Sequence, residues 1–415
     1  MRHVFAHSKI YQGEGEMGKD ICATRTERIV SRLFVPGIVL SQFSSMTPSI
    51  LTGLLLIEIA STFSVNVGVA AQMRTLSSTI SMIFALVLGI ISVKMQAKTL
   101  MSIGLGLQIV SVIGCVLSSS MNMLILSYSL TGFASAIIGP MSLTLIGENL
   151  TLEERGKAIG WIMTGAALAY VIGAPIINTI SDIGGWRLSF LGYVAPAAAL
   201  SLILIWISIP LKEINFPGKS SGFFSGFRVV LGNFSAISCM VSNALMNAAY
   251  QAIIYFSSSF YRQIFEISKA YASVLIIGSA LSFTFGSQIG GRLVNKYGRK
   301  TVTMVPAFLS GLIIVSYMNV PNIYVSIMLR FLGSFLFAVS YTGSRNLTLE
   351  QEPDYRGTLM SLNTAMQNFG TMIGSGLGGY LILQYSYGLT GAVLGVFGII
   401  SSIIYWRFSI DPTKN

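Results

Sequence analysis

Charge is what this sequence has least of. Only 10% of its 415 residues are Asp, Glu, Lys or Arg, while 53% are hydrophobic and the mean hydropathy is +0.71. A chain of this kind cannot hide its apolar surface in one water-soluble core, so lipid is the expected second solvent. Histidine is confined to His3 and His7, which keeps the usual proton shuttle and metal ligand out of the apolar segments. Cys22, Cys115 and Cys239 stand far apart, the last two inside apolar runs, so neither a disulfide framework nor a metal site is expected. No cofactor is implied. An enzyme acting within lipid would need a nucleophile with its base, or a metal cluster, at membrane depth, and the apolar runs hold no histidine or acid to supply one.

What is present is a series of twelve apolar runs between Leu33 and Tyr405. Each is long enough to cross a bilayer, and helices are the open-ended way to do so because they satisfy their own backbone groups. The formal charge of +11 does not indicate a nucleic-acid partner, because the basic residues are scattered through short loops between these runs. With the amino terminus in the cytoplasm, 21 of the 26 Lys and Arg residues fall in cytoplasmic segments. That asymmetry predicts an even number of spans in a cell membrane, with both termini in the cytoplasm. The exceptions are Arg74, Arg187, Arg262, Lys269 and Arg330.

The polar stretch 1–32 is expected to be a mobile cytoplasmic tail. Within it GEGEMGK, Gly13 to Lys19, imitates part of a phosphate-binding loop, but no apolar strand precedes it and Asp20 stands where a hydroxyl belongs. A first six-span bundle occupies 33–209, a Gly- and Ser-containing cytoplasmic linker 210–233, a second bundle 234–408 and a short tail 409–415. The halves echo each other. ENLTLEERG after the fourth run matches RNLTLEQEPDYRG after the tenth, placing Arg155 and Arg356, like Gly173 and Gly374, 201 residues apart. A parallel repeat of six-helix units follows.

The loop GGRLVNKYGRK, Gly290 to Lys300, and the glycine-rich fifth run ending in IGAP resemble the major facilitator superfamily over roughly Arg32 to Phe408. The resemblance implies a solute transporter of twelve helices in two pseudo-symmetric bundles, with gating loops after the second helix of each half. Gly291, Leu293, Lys296, Gly298, Arg299 and Lys300 match that loop pattern, with Asn295 in place of its acid; in the first half only Gly89, Lys94 and Lys98 survive. Arg155 and Arg356 are added as gating candidates, with acids near Glu153 and Glu352 expected to pair with the basic loops. Gly165, Gly173 and Pro175 form a candidate hinge in helix 5, with plain helix packing as the alternative.

On helix 7, Asn243, Asn247, Gln251 and Tyr255 recur every four residues, with Tyr250 beside them, and on helix 11 Asn363 and Gln367 do the same. Such stripes either line a passage or bond neighbouring helices. The family's cavity-lining helices would add Gln42, Ser45 and Tyr128. Arg330 is the embedded charge, and Glu58, at the outer end of helix 1, is the nearest proton acceptor. The expectation is a monomer in the lipid bilayer carrying a small-molecule substrate, with efflux of hydrophobic or amphipathic compounds favoured and protons as the candidate coupling ion. Uptake of a nutrient or organic anion, and a non-transporting receptor or scaffold, remain open alternatives.

Overall fold

A computed structural model of the chain describes residues 14–150, 152–209 and 222–412, with side chains left undescribed at 14–32, 89–90, 92–94, 147, 152–157, 159–160, 163–164, 167 and 222–225. Among the described residues all regular structure is helical. Among the described residues, nine helices are long and apolar enough to cross a membrane individually, and a tenth span is the pair Leu33–Leu54 and Leu56–Thr62, bent by 65°. The remaining two come from the segment Leu168–Ser208, which is two spans joined at a break, and from Arg356–Gln384, whose Asn363, Gln367 and Asn368 make it too polar to qualify on composition.

The twelve spans are α1 (Glu14–Leu54), α2 (Gln72–Lys94), α3 (Ala97–Leu117), α4 (Met121–Asn149), α5 and the start of α6 (together Leu152–Ser189), the rest of α6 (Ala195–Ser208), α7 (Phe234–Ile254), α8 (Lys269–Tyr297), α9 (Arg299–Tyr317), α10 (Ile323–Leu349), α11 (Arg356–Gln384) and α12 (Tyr387–Phe408). Helix α1 begins at Glu14, well before the apolar run, so part of the expected tail is helical. Part of the expected linker is helical too, at Gly222–Gly232; the linker residues 210–221 lie outside the described chain.

The end where α1 starts and α12 finishes is called basal here, the other apical. At the apical turns the side chains of Ser120, Ser268, Asn322 and Ser386 accept from the first free N–H groups of α4, α8, α10 and α12. Helix ends near lipid need such partners because their orphan donors cannot rely on bulk water.

Packing repeats between the halves. Helix α1 packs on α5 and α6, α2 on α4, and α3 on α4 and α6; in the second half α7 packs on α11 and α12, α8 on α10, and α9 on α10 and α12. The halves meet through α2 against α11 and α5 against α8, two contacts that exchange when helix numbers are shifted by six. This is the pseudo-symmetric pair of six-helix bundles expected from the repeated loop sequences.

Candidate functional site

Among the described residues, side-chain bonds and ion pairs that join the two halves cluster toward the apical end. Glu58 binds Arg262 through two contacts of 2.8 and 2.9 Å, tying the tip of α1 to the turn after α7. Lys269 at the start of α8 pairs with Asp182 near the end of α5, and Asn178 donates to Ser273 one turn further in. Gly68 faces Gly379 so closely that a Cβ on Gly68 would collide with the Gly379 carbonyl. One to two turns basal of that contact, Gln72 approaches the Gly376 carbonyl at 3.5 Å and Thr75 shares a hydrogen bond with Ser375 at 3.2 Å. The space between the bundles is therefore sealed at one end. Glu58, expected as a proton acceptor, is one half of that seal.

The helix 7 stripe divides. Four residues advance an α-helix by about 40° more than one turn, so a four-residue repeat carried three times winds about 120° around the axis. Asn243 accordingly turns into its own bundle: it is fully buried, donates to Asn363 at 2.8 Å and accepts from Tyr405 of α12 at 2.9 Å. Asn243 and Asn363 knit α7, α11 and α12 together instead of lining a site. Tyr255, at the other end of the stripe, lies beside Thr52 of α1, and Tyr128 of α4 shares a hydrogen bond with that threonine at 3.2 Å. Asn247, Gln42, Ser45 and Gln367 keep partial exposure at intermediate depth. Asn247 donates to the Asn243 carbonyl, Gln251 is buried beside Gly374, and the Gln367 amide nitrogen has no partner. Tyr250 stacks on Phe337 at 3.7 Å between ring centres, and Phe283 and Tyr341 extend this aromatic wall.

Arg330 is embedded as expected but is enclosed in its own bundle. It is 1% exposed, donates to the Leu275 carbonyl at 2.6 Å and sits over the Tyr261 ring. Tyr317 and Tyr250 close round it. It does not meet Glu58, so the two coupling candidates are not brought together.

Arg74, by its place early in the second apolar run, is expected to be interfacial. It lies in the first turn of α2, on the inner side, and its charge reaches Tyr170 of α5 and Tyr255 of α7. Its Nε has no partner, and no ion pair forms at it among the described residues. A charge this near the end of an apolar run looks interfacial; only the close seal of α2 on α11 above it shows that it faces inward. The other apical cations are occupied: Arg262 and Lys269 in the seal, and Arg187 on the Val116 and Ser118 carbonyls and the Trp186 ring.

The basal loops differ from expectation in their partners. Lys98 caps α6, donating to the carbonyls of Trp206 and Ile209 and lying over the Trp206 ring. Cations suit a helix carboxyl end, so its role here is within the first bundle. Arg299 pairs with Glu350 at 3.7 Å and with Asp411 at 4.0 Å, and Arg356 joins Glu350 at 3.2 Å. Glu352, the expected partner, accepts from Asn233 instead. Asn295 and Lys296 are exposed, Gly291 and Lys300 partly so. Gly298 ends α8 at φ 87° and ψ 156°, a conformation open essentially to glycine alone. The side chains at Gly89, Lys94, Glu153 and Arg155 lie outside the described residues.

In the segment containing α5 the backbone leaves helical geometry only at Gly184 and Gly185, not at Pro175. Gly165 lies against Val39 of α1, and Gly173 against the Tyr193 hydroxyl, where a Cβ would clash. Gly165 and Gly173 are thus contact surfaces in this conformation, Pro175 is exposed, and the bend is the corner between α5 and α6.

Comparison with known proteins agrees with this architecture. The "Probable sugar efflux transporter" of Helicobacter pylori (strain ATCC 700392 / 26695) is 24% identical over 374 residues, covering 88% of this chain and 92% of the relative. The D-xylose-proton symporter superposes with a TM-score of 0.76 at 15% identity, covering 93% of this chain and 98% of that one. A bacterial homolog of the human lysosomal transporter Spinster, inward-facing and unoccupied, gives 0.72 at 15% identity, with 92% and 96% covered. Both structural likenesses speak for the fold. The sequence model of the Major Facilitator Superfamily matches residues 38–282 and 238–415. With the twin bundles and the matched contacts between halves, this makes the chain a member of the major facilitator superfamily, multi-pass membrane transporters of small molecules.

Proposed function

We propose that the chain exports small polar organic solutes by alternating access, with the basal end in the cytoplasm and the conformation described here facing inward. The observation that carries the reading is the distribution of contacts between the halves, which among the described residues cluster toward the apical end. A passage sealed at one end is half of a rocking cycle, and the partly exposed Gln42, Ser45, Asn247 and Gln367 are the residues proposed to line it at mid-depth. In the opposite state the apical pairs break and the basal loops approach, and Arg299 and Lys300 then act as a latch. The amides and the aromatic wall suit a hydroxyl-bearing solute better than a purely hydrophobic one, and the sugar efflux name of the Helicobacter pylori relative supports that class and direction. Glu58 remains the group through which protons would act, because protonation removes its attraction for Arg262 and favours apical opening.

The test is counterflow in proteoliposomes preloaded with unlabelled sugars, sugar alcohols and lipophilic cations in turn. Accumulation of labelled sugar or sugar derivative supports the reading. Counterflow of lipophilic cations alone would replace it with the hydrophobic efflux alternative.

A further inference from the structure

The chain that leaves α12 is fastened to the basal face of its own half. Ser409 accepts from the Cys239 thiol of α7 at 3.4 Å, the Ile410 N–H donates to Ser235 at 2.8 Å, and the Ile410 carbonyl accepts from Gln351 at 2.9 Å. Ser235 in turn donates to Gln351 at 2.6 Å, closing a ring of bonds between the first turn of α7, the residue beyond α10 and the departing chain. Held this way, Asp411 is 7% exposed and lies at the start of α9. One of its oxygens accepts from the Arg299 N–H at 3.2 Å and the other faces the Arg299 guanidinium at 4.0 Å. A helix start suits an anion, because its first N–H groups are free and its dipole is positive there. The same guanidinium also meets Glu350 at 3.7 Å, so Arg299 lies between two carboxylates of its own half. The first half is built differently at the matching place. Ser208, Ile209 and Pro210 stand 201 residues before Ser409, Ile410 and Asp411, as Lys98 stands 201 before Arg299. Lys98 is tied to the backbone carbonyls of Trp206 and Ile209, whereas Arg299 is held by side-chain charge that a rival acid can replace.

We propose that Asp411 is a positioning residue for transport: it holds Arg299 on the second half, favours the basally open state, and gives Arg299 up when the basal loops close. The proposal rests on the rocking reading above and adds an element that sets its balance. Arg299 serves the latch only by turning from its own carboxylates toward the first half. Each contact that keeps it in place is therefore present in the open state and weakened in the closed one, and only such differential contacts move an equilibrium. Asp411 suits the task because it is nearly buried, where salt and water screen its charge least. The ring of Ser235, Gln351 and Ile410 also fixes the segment that carries it. Glu350 is the weaker holder, since it is shared with Arg356 at 3.2 Å.

The experiment follows the distance between spin labels at Glu148 and Asp354, exposed basal positions of opposite halves, in the full-length protein in nanodiscs without solute. Asp411→Asn keeps a side-chain oxygen for the α9 N–H and removes the charge. It should raise the basally closed population about two- to fivefold over the unaltered protein. In an Arg299→Gln background the same change should have no effect, because the contact acts through that side chain. Ser235→Ala unties Ile410 without touching a charge and should shift the population in the same direction by a smaller factor; it carries the test if Asp411→Asn folds poorly. An unchanged or more open population in Asp411→Asn would overturn the proposal, and so would a shift that persists with Arg299→Gln. A lowered unfolding temperature with unmoved distances would likewise reduce Asp411 to a structural cap and overturn it. Absence of two exchanging basal distances in the unaltered protein would remove the rocking reading and the proposal together, whereas exchange that ignores Asp411 would remove the proposal alone.

Discussion

Replacing Glu58 by Gln keeps the shape of the apical seal and removes its charge. The Glu58 and Arg262 side chains are 25% and 16% exposed, and two oxygens meet two nitrogens at 2.8 and 2.9 Å. Fully exposed pairs contribute about 0.2–1 kcal/mol, and a bidentate charge-assisted pair is roughly twice as strong as a neutral one. The substitution should therefore weaken the apically closed state by about 1–2 kcal/mol, shifting the closed-to-open ratio about five- to thirtyfold. Asp182→Asn provides the contrast. The Asp182 side chain is 66% exposed, and solvent screening leaves its pair with Lys269 near the bottom of the exposed range. Spin labels at Ile183 and Tyr385, exposed positions at the apical end of opposite halves, would report both by electron–electron distance measurement in nanodiscs. The expected outcome is a longer distance population in Glu58→Gln and little change in Asp182→Asn. An unchanged distribution in the first, or a larger shift in the second, would refute the assignment of the seal to the Glu58–Arg262 pair.

Two further substitutions probe packing against passage. Gly68→Ala places a methyl group on the Gly379 carbonyl and 2.9 Å from the Leu383 Cβ; with both backbones helical the strain should reach about 1–3 kcal/mol and open the seam, raising maleimide labelling of a cysteine placed at Thr75. Asn243→Leu leaves Asn363 and Tyr405 without their buried partner and should lower stability by about 2 kcal/mol or more, seen as a reduced unfolding temperature in detergent. Asn247→Leu, at a partly exposed position, should change that temperature little, within about 0.5 kcal/mol, while altering solute flux; a reversed pattern would mean that the passage lies on the other face of α7.

Much of the fold could be read before any coordinates, because in lipid each span is a local problem: apolar length, basic loops and caps are visible within twenty residues. The repeat of Arg155 and Gly173 at Arg356 and Gly374 already implied twin bundles, and the contact pattern of the helices bears this out. The site was less legible, for reasons of distance and phase. The partner of Glu58 lies 204 residues away, and nothing local to either residue announces it. Asp411, which anchors Arg299, falls in a segment read as a free tail. The four-residue spacing from Asn243 to Tyr255 reads as one face, yet the small excess of each step over a full turn sends its ends to different neighbours. Arg74 reads as interfacial because depth cannot be judged from position in a run when the adjoining helix, α11, comes some 300 residues later.

The central claim is that the two bundles rock about a passage between them, so that one end closes as the other opens. The most direct measurement pairs the apical labels at Ile183 and Tyr385 with basal labels at the exposed Glu148 and Asp354 and follows both distances as solute and pH gradients drive the cycle. The account predicts opposite movements, apical lengthening accompanied by basal shortening. Two distances that change in the same direction, or a basal end that never closes, would contradict it.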